Sequence, residues 1–270
     1  MLKRVITVVV GLPILVFFVY LGGLPLVALC TVTSLVGLKE LYQAIAGGHK
    51  KIHLLGYGFT LAYFATIYLS SAYTDALTNG MMILTFFIVF AQGALVVFFK
   101  HLHIKDAMGT VYGVLYVPFL LAFTILVREF YMGHIYIWLV FTAAFGCDTF
   151  AYLTGSAIGK HKLVGTPSPS KTVEGLVGGV LGAGLVGALY GLFITQTTYH
   201  DNIFIMQAAI ISAITAIFCI MGDMAASAIK RQTGIKDFGN VFPGHGGVMD
   251  RIDSIVMAAP VVYICIRVIM

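Results

Sequence analysis

Charge is what this sequence has least of. Asp, Glu, Lys and Arg make up 10% of its 270 residues, where a typical soluble domain has about 25%. With 60% of its residues hydrophobic, the chain has too little polar surface to face water all round, which excludes a soluble globular enzyme. The same apolar excess excludes disorder. Cysteine is scarce: Cys30, Cys147, Cys219 and Cys265 fall in apolar runs without CxxC spacing. They read as small buried hydrophobes, not as disulfide partners or zinc ligands. The eight histidines lack HExxH or other metal spacing, and His49, His101, His103, His134 and His200 read as interface residues. No small-residue cleavage site follows MLKR and the apolar run to Leu21, so that run is expected to be a retained first helix.

What the chain does have is long apolar runs. A membrane-crossing helix needs about 20 mainly apolar residues. Runs between polar breaks predict spans at 5–22, 25–45, 54–70, 80–99, 108–127, 135–155, 174–195, 203–222 and 252–269. The expected fold is all-α: a polytopic membrane protein of about nine helices, forming one integral membrane unit. Residues 1–134 supply N-terminal spans, and 135–270 supply C-terminal spans with the catalytic loops. Helix 174–195 carries Gly175, Gly179, Ala183, Gly187 and Gly191 at intervals of four. Such small-residue stripes let membrane helices approach closely, here more within one chain than between two.

Basic residues concentrate in cytoplasmic loops. With the N-terminus inside, fourteen Lys and Arg fall on the inner side and two, Arg128 and Arg267, on the outer side. The expectation is therefore a multi-pass plasma-membrane protein with a cytoplasmic N-terminus. Lys50, Lys51, Lys100 and Lys105 read as anchors against anionic lipid.

Ionisable residues beside apolar spans are costly and default to functional candidates. They cluster at Asp148, in 159–179 and in 222–254, all at inner loops or inner helix ends. A site there suits a reaction between a cytosolic solute and a lipid. Asp223, Ser227 and Arg231 are spaced four apart and Lys230 lies three from Ser227, so one helical face carries a carboxylate, a hydroxyl and two cations. A snorkelling helix end with an internal ion pair is the plainer reading of that face. Gly244, Gly246 and Gly247 around His245 permit close backbone approach to an anion. Asp250 and Asp253 open the last helix with Arg251 between them. Capping accounts for one such Asp better than for two. Mg²⁺ takes one or two carboxylates plus substrate phosphates, and Asp223 with Asp250 could hold such an ion. In PSPSKTVEG (167–175), Ser170 or Thr172 could cap a helix and Glu174 could close a capping box. Lys171 is left over, a cation where a helix N-terminus already attracts anions. GSAIGKH (155–161) is one residue short of a phosphate loop, ends in His and follows no strand, so that reading fails.

The run from Ser227 to Asp253, SAIKRQTGIKDFGNVFPGHGGVMDRID, resembles the signature of phosphatidate cytidylyltransferases, also called CDP-diacylglycerol synthases. The pattern fixes Ser227, Lys230, Arg231, Lys236, Asp237, Pro243, His245, Gly246, Gly247, Asp250, Arg251 and Asp253. Upstream, DTFAY (148–152), GKHKL (159–163), SPSKTVEG (168–175) and Gly222–Asp223 are also similar to that family; Ser170 stands where SPKKT is usual. The likeness is specific over the last 125 residues and rests on hydropathy and the RVIT…GLP start before them.

This resemblance implies Mg²⁺-dependent transfer of CMP from CTP to phosphatidic acid, giving CDP-diacylglycerol and pyrophosphate. It also implies a helical membrane homodimer with a cytoplasm-facing polar cavity and a second metal ion beside the first. The implied metal ligands are Asp223 and Asp250, and the implied catalytic residues are those two with Lys230, Arg231 and Asp253. Substrate contacts are implied for Asp148, Ser168, Ser170, Lys171, Thr172, Glu174, Ser227, Lys236, Asp237, His245, Gly246, Gly247 and Arg251. The partners are then CTP, phosphatidic acid and the bilayer, with no nucleic acid. A transporter for a phosphorylated solute would want midplane polar residues and internal repeats, and neither is present. The D-G…A-R signature of CDP-alcohol phosphotransferases is absent too.

Overall fold

The computed structural model describes residues 2–45, 50–71, 76–98, 103–164, 166–199, 202–242 and 246–270. Among them there are only helices, turns and two isolated bridges. The helices are α1 (Leu2–Leu21), α2 (Gly23–Ile45), α3 (Lys50–Ser71), α4 (Ala76–Val97), α5 (Ile104–Arg128), α6 (Gly133–Ile158), α7 (Val173–Ile194), α8 (Ile203–Gln232) and α9 (Met249–Ile269). Seven of these, α2 and α4 to α9, are long and apolar enough to cross a membrane among the described residues. The chain is a multi-pass helical membrane protein. In α1 the apolar stretch is Gly11–Leu21. The lower hydropathy of α3 comes from its Lys50–Lys51–Ile52–His53 start and its scattered glycine, threonine, serine and tyrosine.

Packing divides the chain into two compact units. The first comprises Met1–Leu126 with Thr233–Arg251. Its core is aliphatic and aromatic, with Leu38, Leu41, Tyr63, Phe64, Ile67 and Val114 buried. Tyr42 of α2 is enclosed by two other helices: its hydroxyl donates to the Thr110 carbonyl at 3.0 Å, and its ring stacks on His53 at 4.2 Å. Gly56 and Gly113 leave room for that ring, since a Cβ on either would overlap it. Within α5, Pro118 has no N–H to donate, and the helix widens into a π turn over Leu115–Phe119.

The second unit comprises Val127–Gln232 with Ile252–Met270. Here the small-residue stripe of α7 packs inside the chain. Gly175 and Gly179 face Ala151 and Cys147 of α6, and Gly187 and Gly191 face Ile205, Ala208 and Ser212 of α8. All five stripe residues are buried. Lacking bulk, they let α7 lie close against both neighbours. The Tyr190 hydroxyl donates to the Ile135 carbonyl at 2.8 Å, and the Gln207 amide donates to the Ile269 carbonyl at 3.1 Å. All four cysteines are free and buried.

The length of α8 matters for chemistry. Its 30 residues rise about 45 Å at ~1.5 Å each, against about 30 Å of hydrocarbon. Its apolar part ends at Met221, and the last turns carry Asp223, Ser227, Lys230 and Arg231 on continuous helix. The charged residues are therefore on a rigid element beyond the apolar stretch.

Candidate active site

In the second unit the site is built from the connection before α7, the end of α8 and the start of α9. Residues 161–163 and 171–173 run antiparallel: the Leu163 N–H donates to the Lys171 carbonyl at 3.0 Å, and the Val173 N–H to the His161 carbonyl at 2.9 Å. A turn closes the intervening segment, with the Lys171 N–H on the Ser168 carbonyl at 3.1 Å. Thr172 caps α7, its Oγ1 accepting the Gly175 N–H at 3.1 Å, while Ser170 is exposed. Glu174 sits one position too early to close the capping box on Thr172. Instead its carboxylate takes the His161 backbone N–H at 3.2 Å and the His161 Nδ1 at 2.6 Å. That contact fastens the GKHKL segment to the first turn of α7.

This frame delivers Lys171 to α8, where its Nζ pairs with Asp223 Oδ2. Both side chains keep about a quarter to a third of their surface exposed (25% and 30%). One turn on, the Ser227 hydroxyl reaches Asp223 Oδ1 at 3.5 Å, the outer limit of a hydrogen bond. Gly222 lies against the Asp253 carbonyl and the Met257 side chain, so α8 and α9 touch where the acids begin. Asp253 is buried, its Oδ1 accepts the Ser254 N–H at 2.8 Å, and the charges of Asp223, Asp148 and Lys230 act on its carboxylate. The unit thus gathers three carboxylates with the cations Lys171 and Lys230. Asp148 and Arg231 are exposed, and Lys230 is half-exposed.

In the first unit the signature segment folds back on itself. Asp250 Oδ2 accepts the Phe238 N–H and the Gly247 N–H, both at 2.9 Å. Both bonds hold the loop before α9, which starts at Met249; neither is an N-cap on the helix's own first-turn amides. Gly246 has φ +83°, a left-handed conformation, and a Cβ there would meet the Asp250 carboxylate. Lys236, Asp237 and Arg251 are exposed. His245, with Pro243 and Gly244, lies outside the described residues.

Glu40 belongs to this segment as well, and sequence reasoning passed over it. It is buried in α2, and its carboxylate accepts the Val248 and Met249 N–H groups at 3.0 and 2.8 Å. The rule that flagged the C-terminal acids, an ionisable residue within an apolar span, flags Glu40 in the run 25–45 equally.

Among the described residues no group of three or more His, Cys, Asp or Glu side chains is arranged to hold a metal ion. The donors at hand are hard carboxylate oxygens, those of Asp148, Asp223 and Asp253 in the second unit and of Asp250 in the first, the ligand type that Mg²⁺ takes.

Fold and site together define an integral membrane protein that gathers its charged side chains near helix ends and in the segments beside them. The chain belongs to the cytidylyltransferase family, whose model matches residues 2–269. It is similar to three proteins named phosphatidate cytidylyltransferase. The identity is 37% over 156 residues to that of Thermotoga maritima, covering 57% of each chain. It is 29% over 293 positions to that of Synechocystis, covering 97% of this chain and 94% of the relative. To that of Bacillus subtilis it is 28% over 269 positions, covering 97% and 96%.

Proposed function

We propose that this protein transfers CMP from CTP to phosphatidic acid, releasing pyrophosphate and leaving CDP-diacylglycerol in the bilayer. The observation that carries this is the charged cluster at the end of α8, in a chain whose relatives are named for that reaction. Both substrates are polyanions, so cations must offset their repulsion, and we assign that role to Lys171, Lys230, Arg231, Lys236 and Arg251. The attacking atom is a phosphate monoester oxygen, largely ionised at neutral pH because its second pKa is about 6. It needs no strong general base. A new P–O bond forms at the α-phosphorus of CTP, the bond to the bridging oxygen breaks, and pyrophosphate leaves with that electron pair. Positioning and charge neutralisation are what the protein contributes.

Asp223 and Asp250 are the carboxylates we assign to Mg²⁺, which when bound neutralises charge on the transferring phosphate. Lys171 on Asp223 fits this assignment: a cation sits on that carboxylate, and it can turn to a phosphate when a metal takes its place. Asp148, Ser168, Ser170, Thr172, Glu174, Ser227, Asp237, His245, Gly246 and Gly247 complete the substrate-facing set, and Asp253 joins Asp223, Asp250, Lys230 and Arg231 as a catalytic residue. A second metal ion and a homodimer are part of the same proposal. The test is CMP transfer by purified protein in phosphatidate-containing vesicles.

The same reading sets the topology: nine spans, an inner N-terminus and an inner site in the plasma membrane. Tyr131, between α5 and α6, is 98% exposed, and Val164, before α7, is 86% exposed. In intact cells a membrane-impermeant thiol reagent should label Tyr131→Cys and spare Val164→Cys. Labelling of Val164→Cys alone would invert the orientation.

A further inference from the structure

Glu40 is a carboxylate with 4% of its surface exposed, near the end of an apolar helix. A charge is costly to keep from water unless its oxygens accept hydrogen bonds, and here both do. The amides they take, those of Val248 and Met249, open α9, where N–H groups have no partner inside the helix. The neighbouring Gly247 amide goes to Asp250. Three successive N–H groups are thus held by two carboxylates, one from α9 itself and one from α2. A negative charge at this end is also favoured by the helix dipole. Two glycines make the approach feasible: a Cβ on Gly239 or on Gly247 would run into the Glu40 carboxylate. The segment is wrapped around this acid from both sides.

We infer that Glu40 is a positioning residue: by clamping the first turn of α9 from α2, it fixes where Asp250 and the glycines beside it present themselves. The contacts are charge-assisted and paired, one per oxygen, so they set direction as well as distance. An acid 208 residues upstream of Val248 then governs how Asp250 is presented. The catalytic half of this inference rests on the proposed role of Asp250 in Mg²⁺ binding; the clamp itself does not.

Glu40→Gln tests it. The variant keeps the shape and one acceptor oxygen, but turns an NH₂ toward an N–H and removes the charge. Amide exchange in a peptide covering 247–251 should accelerate at least tenfold. The Mg²⁺ concentration for half-maximal CMP transfer should rise at least tenfold, with the KM for phosphatidate within threefold of the parent. Gly239→Ala, which pushes into the same carboxylate, should produce both changes, and it decides the matter if Glu40→Gln does not purify folded. Unchanged exchange at 247–251 in the variants that fold would overturn the clamp. Faster exchange with an unaltered Mg²⁺ requirement, activity falling only in step with melting temperature, would reduce Glu40 to a structural residue and overturn positioning. If the parent transfers no CMP at all, the proposed function falls, and the exchange measurement alone judges the clamp.

Discussion

Asp250→Asn is expected to purify as a folded helical protein and to lose CMP transfer by about a hundredfold or more, since metal stabilisation of transition-state charge is worth several kcal/mol. The substitution is informative because of what it preserves. Oδ2 of Asp250 ties the Phe238 and Gly247 amides at 2.9 Å, and an asparagine carbonyl can accept the same two bonds. Asn also serves a helix N-terminus as well as Asp does. Only the negative charge and the hard anionic ligand disappear. If Asp250 did nothing but hold the loop, the variant would keep nearly all its activity. Asp223→Asn should show a comparable loss, because the amide keeps the contact with Ser227 and forfeits both the ion pair with Lys171 and any metal. The measurement for both is initial CMP transfer across a Mg²⁺ titration, on protein whose melting temperature matches the parent.

Gly187→Leu should damage the fold itself. A Cβ at this position would come closer than 3 Å to the Ser212 side chain and to the Ala208 carbonyl oxygen, and backbone cannot step aside as a flexible side chain can. Overpacking a tight contact costs ~1–3 kcal/mol, and a full leucine forces α7 and α8 apart. Gly93→Ala in α4 is the control: nothing lies within 4 Å of a Cβ there, and alanine is the better helix former by roughly 1 kcal/mol. All four cysteines are buried, so a thiol-reactive fluorophore reports unfolding directly. The leucine variant should melt several degrees lower, and the alanine variant no lower than the parent. Equal melting temperatures would mean that the α7 stripe is not a packing seam.

The helices were legible because apolar runs of this length have few other fates, and seven of them are long and apolar enough to cross a membrane among the described residues. The α7 stripe was legible too, since small residues every fourth position declare one close-packed face. The sequence left Ser170 and Thr172 both open as the cap, and the structure has Thr172; the partner of Glu174 was not legible. Sequence spacing suggests a box within one helix, but His161 reaches Glu174 only because a short antiparallel pairing brings 161–163 alongside 171–173. The pairing of Lys171 with Asp223 was hidden for the same reason: it joins a loop to a distant helix, and no local period encodes it. Glu40 was the largest omission. Its partners are backbone amides, which every residue has, so nothing in the C-terminal sequence asks for an acid in α2. What marked it was its cost, a charge within an apolar run.

The central claim concerns where the phosphorus of CTP goes. Purified protein in vesicles containing phosphatidic acid should be given CTP labelled at the α-phosphate and, separately, at the γ-phosphate, with and without Mg²⁺. The account predicts that the α-label moves into lipid, that the γ-label leaves as pyrophosphate in equal amount, and that neither happens without phosphatidic acid or Mg²⁺. Release of γ-label as orthophosphate with no α-label in lipid, or transfer undiminished by removal of Mg²⁺, would contradict it.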